Sequence, residues 1–339
     1  MNKDETVLGQ EVVRSGLRSA WLHSLHATTL AGRLRSNVSL ITLAALCLVA
    51  SLLVDGFLSI DNWANVLKQS AIPVIACIGM TIVLMTGGID LSVGYVVGLA
   101  SIVSGLLIKS LNLPSVVVLI LVIGMGAVIG LLNGVIITSM RVPAFITTLG
   151  TGYIIYGIAQ VVSQGAIINA LPKSFLAIGR TNIAGLPSSV FIALAVAIIG
   201  HIVIGHGRLG RQLRAFGFNA RAAALSGIPV NRVNVLAYMA SGALAALSGL
   251  LFTIRVTAAQ PNMGGGVFTF EVVTAAIVGG TSLFGGVGSV MGSVFGVLSV
   301  KVIENCINLS GVSYHLYLAV QGLVILAAIV MRTRTNAAT

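Results

Sequence analysis

Acidic residues are scarce in this 339-residue sequence: 8 Asp+Glu stand against 19 Lys+Arg, and charged residues of both signs make up only 8% of the chain. Soluble domains carry about 25% charged residues, so a water-soluble globule and a disordered tail are both excluded. Cysteine is nearly as rare. Cys47, Cys77 and Cys306 lie far apart, each in an apolar run and without C-x-x-C spacing; a disulfide-stapled scaffold and a thiolate metal site are excluded, and buried packing is the reading left. No Gly-Lys pair occurs, so the chain has no P-loop for ATP. No H-E-x-x-H is present, no apolar run holds a carboxylate pair, and His201 and His206 share one helix end without acidic partners, which removes the usual sets of an intramembrane enzyme. A proton- or sodium-coupled carrier places ionisable groups at mid-membrane. Here Asp90 falls at a helix break, while Glu271 and Glu304 fall near helix ends, so the energy for any uphill work comes from elsewhere.

What the sequence has in quantity is apolar surface and glycine. Hydrophobic residues are 57%, mean hydropathy is +1.05 and 40 residues are Gly. These values predict an all-α, polytopic integral membrane protein. A spanning helix needs about 20 apolar residues, and the runs that approach this are 38–54, 69–86, 92–111, 115–139, 143–163, 188–206, 233–254, 269–284, 287–304 and 315–331. That makes about ten spans, or as few as eight since the eighth is short and glycine-rich, and ten puts both termini on one side. The Lys/Arg distribution tests the arrangement. Thirteen basic residues (five in the N-terminal tail, then Arg141, Arg208, Arg211, Arg214, Arg221, Arg232, Arg332 and Arg334) fall on one side, against Lys68, Lys109, Lys173, Arg180, Arg255 and Lys301 on the other. Both termini are therefore expected in the cytoplasm. The net charge of +11 is explained by topology, with no need for nucleic acid.

The expected organisation is a cytoplasmic tail over 1–36, a membrane domain over 37–331 with a cytoplasmic loop at 207–232, and a cytoplasmic tail over 332–339. In the first tail Val13, Leu17, Trp21 and Leu25 recur at i+4, which suits either a surface helix or a mobile tail; no cleavable signal is evident. Small residues repeat every four positions at Gly126, Gly130 and Gly134, at Ser241, Ala245 and Gly249, and at Gly288, Gly292 and Gly296, the pattern of closely approaching membrane helices. The stretch beginning Gly87-Gly88-Ile-Asp-Leu-Ser is similar to Gly279-Gly280-Thr-Ser-Leu, and paired interruptions of this kind mark repeat-built transporters. In the 207–232 loop, Asn219 to Gly227 reads as one short helix with Asn219 as cap, Gly227 in the left-handed position and Pro229 as stop. Such a knob either transmits force from a soluble partner or simply connects two spans.

Four motifs now resemble a known family. Met85-Thr-Gly-Gly-Ile-Asp-Leu-Ser-Val-Gly94, Val142-Pro-Ala-Phe-Ile-Thr-Thr-Leu-Gly-Thr151, Gly217-Phe-Asn219 with Ala222-Ala-Ala-Leu-Ser-Gly-Ile228, and Ala275-Ala-Ile-Val-Gly-Gly-Thr-Ser-Leu-Phe-Gly-Gly-Val-Gly288 are similar, in the same order, to segments of bacterial ABC-type monosaccharide importer permeases of the ribose/xylose/arabinose/galactose group. The likeness runs from about Leu58 to Val330. It implies the membrane subunit of such an importer in the bacterial inner membrane. Its implied partners are a second permease copy, a separate ATPase that binds the ATP, and an extracytoplasmic sugar-binding protein; the substrate is a monosaccharide, and the chain itself has no cofactor. It also implies that Arg211, Arg214, Asn219, Arg221, Ala222, Ala223, Ser226 and Gly227 belong to an ATPase-coupling loop. Thr269-Phe-Glu271, Tyr156-Gly157, Leu316-Tyr317-Leu318 and Phe218 depart from the family's habit, which leaves the particular sugar open.

Several residues carry two readings. Asp90 and Ser92, with Gly87 and Gly88 permitting the break, either cap the third span or gate the cytoplasmic mouth. Asn133, Thr147, Thr148, Thr281 and Ser282 either line the path, where a sugar's hydroxyls need uncharged partners, or bond helix to helix. Arg255 and Glu271 either pair with each other or contact the docked binding protein. Tyr153, Tyr156, Tyr314 and Tyr317 either stack on sugar or anchor the membrane interface. A self-sufficient carrier or facilitator is the alternative function, and it requires flux from this chain alone.

Overall fold

The computed structural model describes residues 38–311, together with residues 319, 322 and 323. The expected tails 1–36 and 332–339 lie outside the described residues, as do Tyr314, Tyr317 and all but three positions of the tenth apolar run. Twelve α-helices are described: α1 (Val38–Leu53), α2 (Ile60–Leu84), α3 (Val93–Lys109), α4 (Ser115–Ser139), α5 (Ala144–Ser163), α6 (Lys173–Arg180), α7 (Ser188–Gly200), α8 (Arg208–Phe218), α9 (Ala220–Leu225), α10 (Val230–Val256), α11 (Gly265–Val278) and α12 (Val290–Leu309). A π-helical turn, His201–His206, extends α7, and a two-residue antiparallel hairpin pairs β1 (Asn182–Ile183) with β2 (Leu186–Pro187). Helices α2, α4, α5, α7 with its π turn, α10 and α12 are each long and apolar enough to cross a membrane, whereas α1, α3 and α11 are apolar but shorter. Every run from 38–54 to 287–304 thus corresponds to a helix, with the last two shifted to Gly265–Val278 and Val290–Leu309.

Proline sets five of the twelve helix starts. Pro114, Pro143, Pro172, Pro187 and Pro229 each stand immediately before a helix, where a missing N–H costs nothing. Pro73 alone sits inside one, α2, and so withholds the helical N–H from the Gln69 carbonyl four residues back.

The bundle is organised around α10, which packs on α4, α2 and α3. Its approach to α4 is set by the glycines expected to do so: a Cβ at Gly126, Gly130 or Gly134 would run into Gly242, Tyr238 or Val235, and Gly242 has no room against Gly126. The Ser241–Ala245–Gly249 stripe serves other neighbours, Gly249 meeting Val97 and Ala100 of α3 while Ser241 lies against Gly79 of α2. Gly292 and Gly296 seat α12 on Gly279 and Ala275 of α11. Asn62 of α2 and Asn305 of α12 exchange side-chain amide hydrogen bonds of 3.0 and 2.7 Å.

The 207–232 segment corrects the expectation of a single short helix. Arg208–Phe218 forms α8 ahead of the predicted one, and Arg211 and Arg214 cover the adjoining π turn by donating to the carbonyls of His206 (2.8 Å) and Ile204 (3.2 Å). The predicted helix follows as α9. Asn219 Oδ1 accepts from the Ala222 N–H at 2.9 Å, Gly227 has φ +81° and α10 begins after Pro229.

Candidate functional site: the start of α3

The eight residues from Met85 to Ser92 that join α2 to α3 run into the bundle. At one end the Gly286 N–H donates to the Met85 carbonyl at 3.0 Å. At the other, Ser241 Oγ donates to Asp90 Oδ2 at 2.8 Å. Ser241 lies near the middle of the 27-residue α10, so Asp90 lies inside the bundle between its two ends. Gly87 makes the bend with φ +80°. Gly88 is required for a different reason: a Cβ there would collide with the Tyr238 hydroxyl.

Asp90 is 1% exposed. Its Oδ1 accepts from the Ser92 N–H at 3.0 Å and from the Ser92 hydroxyl at 2.5 Å. Ser92 Oγ in turn accepts from Asn133 Nδ2 of α4 at 3.1 Å. Two more oxygens satisfy backbone amides at this helix start: Thr148 Oγ1 of α5 takes the Leu91 N–H at 2.9 Å, and Thr269 Oγ1 of α11 takes the Gly94 N–H at 3.0 Å. Four other helices, α4, α5, α10 and α11, thus converge on the first turn of α3. The Asp90 carboxylate serves the amide two residues on, Ser92 at the helix N-cap makes no side-chain cap bond, and Thr269 serves Gly94 instead. No cationic side chain of the described residues lies within ion-pair distance of Asp90. Neutral donors alone hold a carboxylate buried as deeply as this, which demands that all of them stay in place.

The other predicted path residues are placed as follows. Thr147 is nearly buried and donates to the Pro143 carbonyl at 3.3 Å. Thr281 is fully buried. Ser282 holds the loop after α11, its N–H donating to the Val287 carbonyl and its Oγ accepting from the Phe284 N–H at 3.2 Å. That loop, 279–289, touches the 85–92 loop directly: Gly87 faces the Phe284 carbonyl and Gly285 abuts the Gly87 nitrogen. The two sequence interruptions that looked alike are therefore in contact. Gly217, at the end of α8, is wedged against both, because a Cβ there would meet the Met85 carbonyl and the Gly286 nitrogen, and the Phe218 ring covers Gly286.

The family described as "Branched-chain amino acid transport system / permease component" matches residues 62–329. The chain belongs to this permease family. It is 36% identical to "Ribose import permease protein RbsC" of Haemophilus influenzae, over 87% of this chain and 91% of that one. It is 33% identical to "L-arabinose transport system permease protein AraH" of Escherichia coli, over 86% and 88%, and 33% identical to "Galactose/methyl galactoside import permease protein MglC" of the same organism, over 81% and 87%. No solved structure matches.

The second charged region of the permease differs from expectation. Glu271 pairs with Lys301 of α12 at 2.7 Å, and not with Arg255; Lys301 also pairs with Glu304 at 2.7 Å. Arg255 has no carboxylate within ion-pair distance among the described residues. With Lys68 and Arg180 it lines a cavity of about 330 Å³ that has no acidic residue in its wall. Tyr156 lies beside this end of the bundle, its hydroxyl donating to Asn262 Oδ1 at 3.1 Å while Gln160 Nε2 donates to the same oxygen at 2.6 Å. Tyr153 is exposed, tilted against Tyr95 with ring centroids 5.6 Å apart.

Sequence reasoning missed Thr269 and Tyr238 at the start of α3 and the double pairing of Lys301. Ser241 was visible only as a small residue in a stripe. A hydroxyl two residues ahead of Glu271 gives no signal of its own, since its role depends on where α11 lands against Gly94.

Proposed function

We propose that this permease is the membrane-spanning subunit of an ATP-driven importer that carries a monosaccharide, pentose or hexose, across the bacterial inner membrane by alternating access. The observation that carries this reading is the junction of Gly217, Met85 and Gly286. A force delivered to the exposed α8–α9 knob from outside the bundle reaches both interrupted loops through a contact with no slack, and the 85–92 loop passes it on to Asp90 and the start of α3. Relatives named for ribose, L-arabinose and galactose support the sugar class.

In this reading a separate ATPase binds the ATP and seats on α8 and α9, with Arg211, Arg214 and Arg221 toward it, Asn219 capping the knob, and Ala222, Ala223, Ser226 and Gly227 shaping it. A second permease copy completes the pore. An extracytoplasmic sugar-binding protein docks at the Arg255 end, where Glu271 is held by Lys301. Both termini are cytoplasmic, as the thirteen-to-six distribution of basic residues supports. Gly87, Gly88, Asp90, Ser92, Asn133, Thr147, Thr148, Thr281 and Ser282 act as the gate: loosening their shared bonds lets α3 shift against α4, α5 and α10. A ligand moves such an equilibrium only by its differential affinity for the two states, so weak sugar affinity in this subunit suffices.

The test is reconstitution in liposomes with the ATPase and binding protein encoded beside it. Sugar-dependent ATP hydrolysis and uptake are expected. Uphill sugar uptake by this chain alone would establish the carrier alternative and overturn the proposal.

A further inference from the structure

A second cavity, of about 370 Å³, opens at the Arg255 end between α2, α10, α11 and α12. It falls within the ~300–1,000 Å³ of small-molecule sites. We propose that it is a sugar-receiving site inside this subunit, in which a neutral monosaccharide lies against Phe252 and Phe268 and hydrogen-bonds to Gln69, Arg255 and Glu304. The identity of the substrate class rests on the function proposed above; the location rests on the cavity itself.

Three features of the wall select a neutral polyol. Its charges balance, with Arg255 and Lys301 against Glu271 and Glu304, so an ion of either sign gains little. The adjoining all-cationic cavity, which shares Gln69 and Arg255, suits anions instead. The polar groups are of both kinds, five guanidinium donors and carboxylate acceptors, and each sugar hydroxyl both donates and accepts. Phe252 and Phe268 cross at 67° with centroids 6.2 Å apart and give the wall an apolar side suited to the C–H face of a sugar ring.

The cavity also reaches the gate. Gly264 in its wall packs on Gly94 and Val97 of α3. Phe268 immediately precedes Thr269, whose hydroxyl takes the Gly94 N–H. An occupant that shifts α11 is therefore felt one residue away, at the first turn of α3, the same turn that Asp90 and Ser92 secure.

The experiment uses the full complex reconstituted in sealed liposomes with D-ribose, L-arabinose and D-galactose as probes. Val267, exposed in the cavity wall, is replaced by Cys in a Cys47→Ser/Cys306→Ser background, and maleimide labelling is timed. The transported sugar is expected to slow labelling several-fold, and a sugar that is not transported is expected to leave it unchanged. In parallel, Gln69→Leu is expected to raise the uptake KM about three- to tenfold, the loss of one hydrogen bond. Transport by the wild type with no protection at Val267→Cys and no KM change in Gln69→Leu would overturn the cavity assignment alone. Failure of the wild type to take up any of the sugars would overturn the substrate class and this occupant together.

Discussion

Asp90 and Lys301 are both buried charges in an apolar bundle, and the permease accommodates them in opposite ways. Lys301 has two carboxylates at 2.7 Å, one on its own helix and one on α11. Asp90 has no counter-ion in reach among the described residues and depends on Ser92, Ser241 and the Ser92 amide. An ion pair tolerates small displacements because Coulomb attraction falls off slowly with distance. A set of neutral donors does not, because hydrogen bonds weaken steeply with angle. A charge solvated only by dipoles on separate helices is therefore sensitive to their relative position, which suits a gate, whereas the paired lysine suits a fixed wall.

Substitutions can break this contrast, and the largest effect is expected where a charge is stranded. Lys301→Met leaves Glu271 and Glu304 facing each other in a poorly solvated wall, and a loss of about 3–5 kcal/mol is expected, read as a large fall in thermal unfolding temperature in detergent; an unchanged melting point would show that solvent already screens the pair. Asp90→Asn keeps the shape but weakens bonds from Ser92 and Ser241 that were charge-assisted, so a smaller loss of about 1.5–3 kcal/mol is expected, together with a leak of sugar in vesicles lacking ATP. Stability unchanged on Asp90→Asn would mean the carboxylate is already protonated, and the contrast with Lys301 would collapse. Asn219→Ala removes the α9 cap, with about 1 kcal/mol expected, seen as weaker co-purification of the ATPase. The smallest stability effect belongs to exposed Arg221: Arg221→Glu should stay within about 0.5 kcal/mol of wild type while sugar-stimulated ATP hydrolysis is lost. Full transport by Arg221→Glu would remove the knob from the proposed mechanism.

Much of this fold is legible from apolar run lengths and proline placement, because both act within a single helix. The break at Gly87–Gly88 and the Asn219 cap were readable for the same reason: each is a local demand on the backbone. What escaped is what depends on two distant segments meeting. Helix α8 is short and arginine-rich, and it forms where Arg211 and Arg214 can cover a π turn that has no sequence mark. For Glu271 the sequence leaves open a pairing with Arg255 or contact with a docked binding protein, yet Lys301, thirty residues on, is the side chain the bundle presents. In the candidate site, Asp90, Ser92, Asn133 and Thr148 were all singled out as polar groups in apolar surroundings, and they do meet. Thr269 and Tyr238 join them only through the packing of α11 and α10.

The tie between the two interrupted loops is made by main-chain atoms, the Gly286 N–H on the Met85 carbonyl, with Gly217 pressed against it. Beside that joint the Phe218 ring covers Gly286. Residues lining the Arg255 end can therefore change without altering this joint, provided these glycines stay and Gly264 and Thr269 keep their contacts with the start of α3.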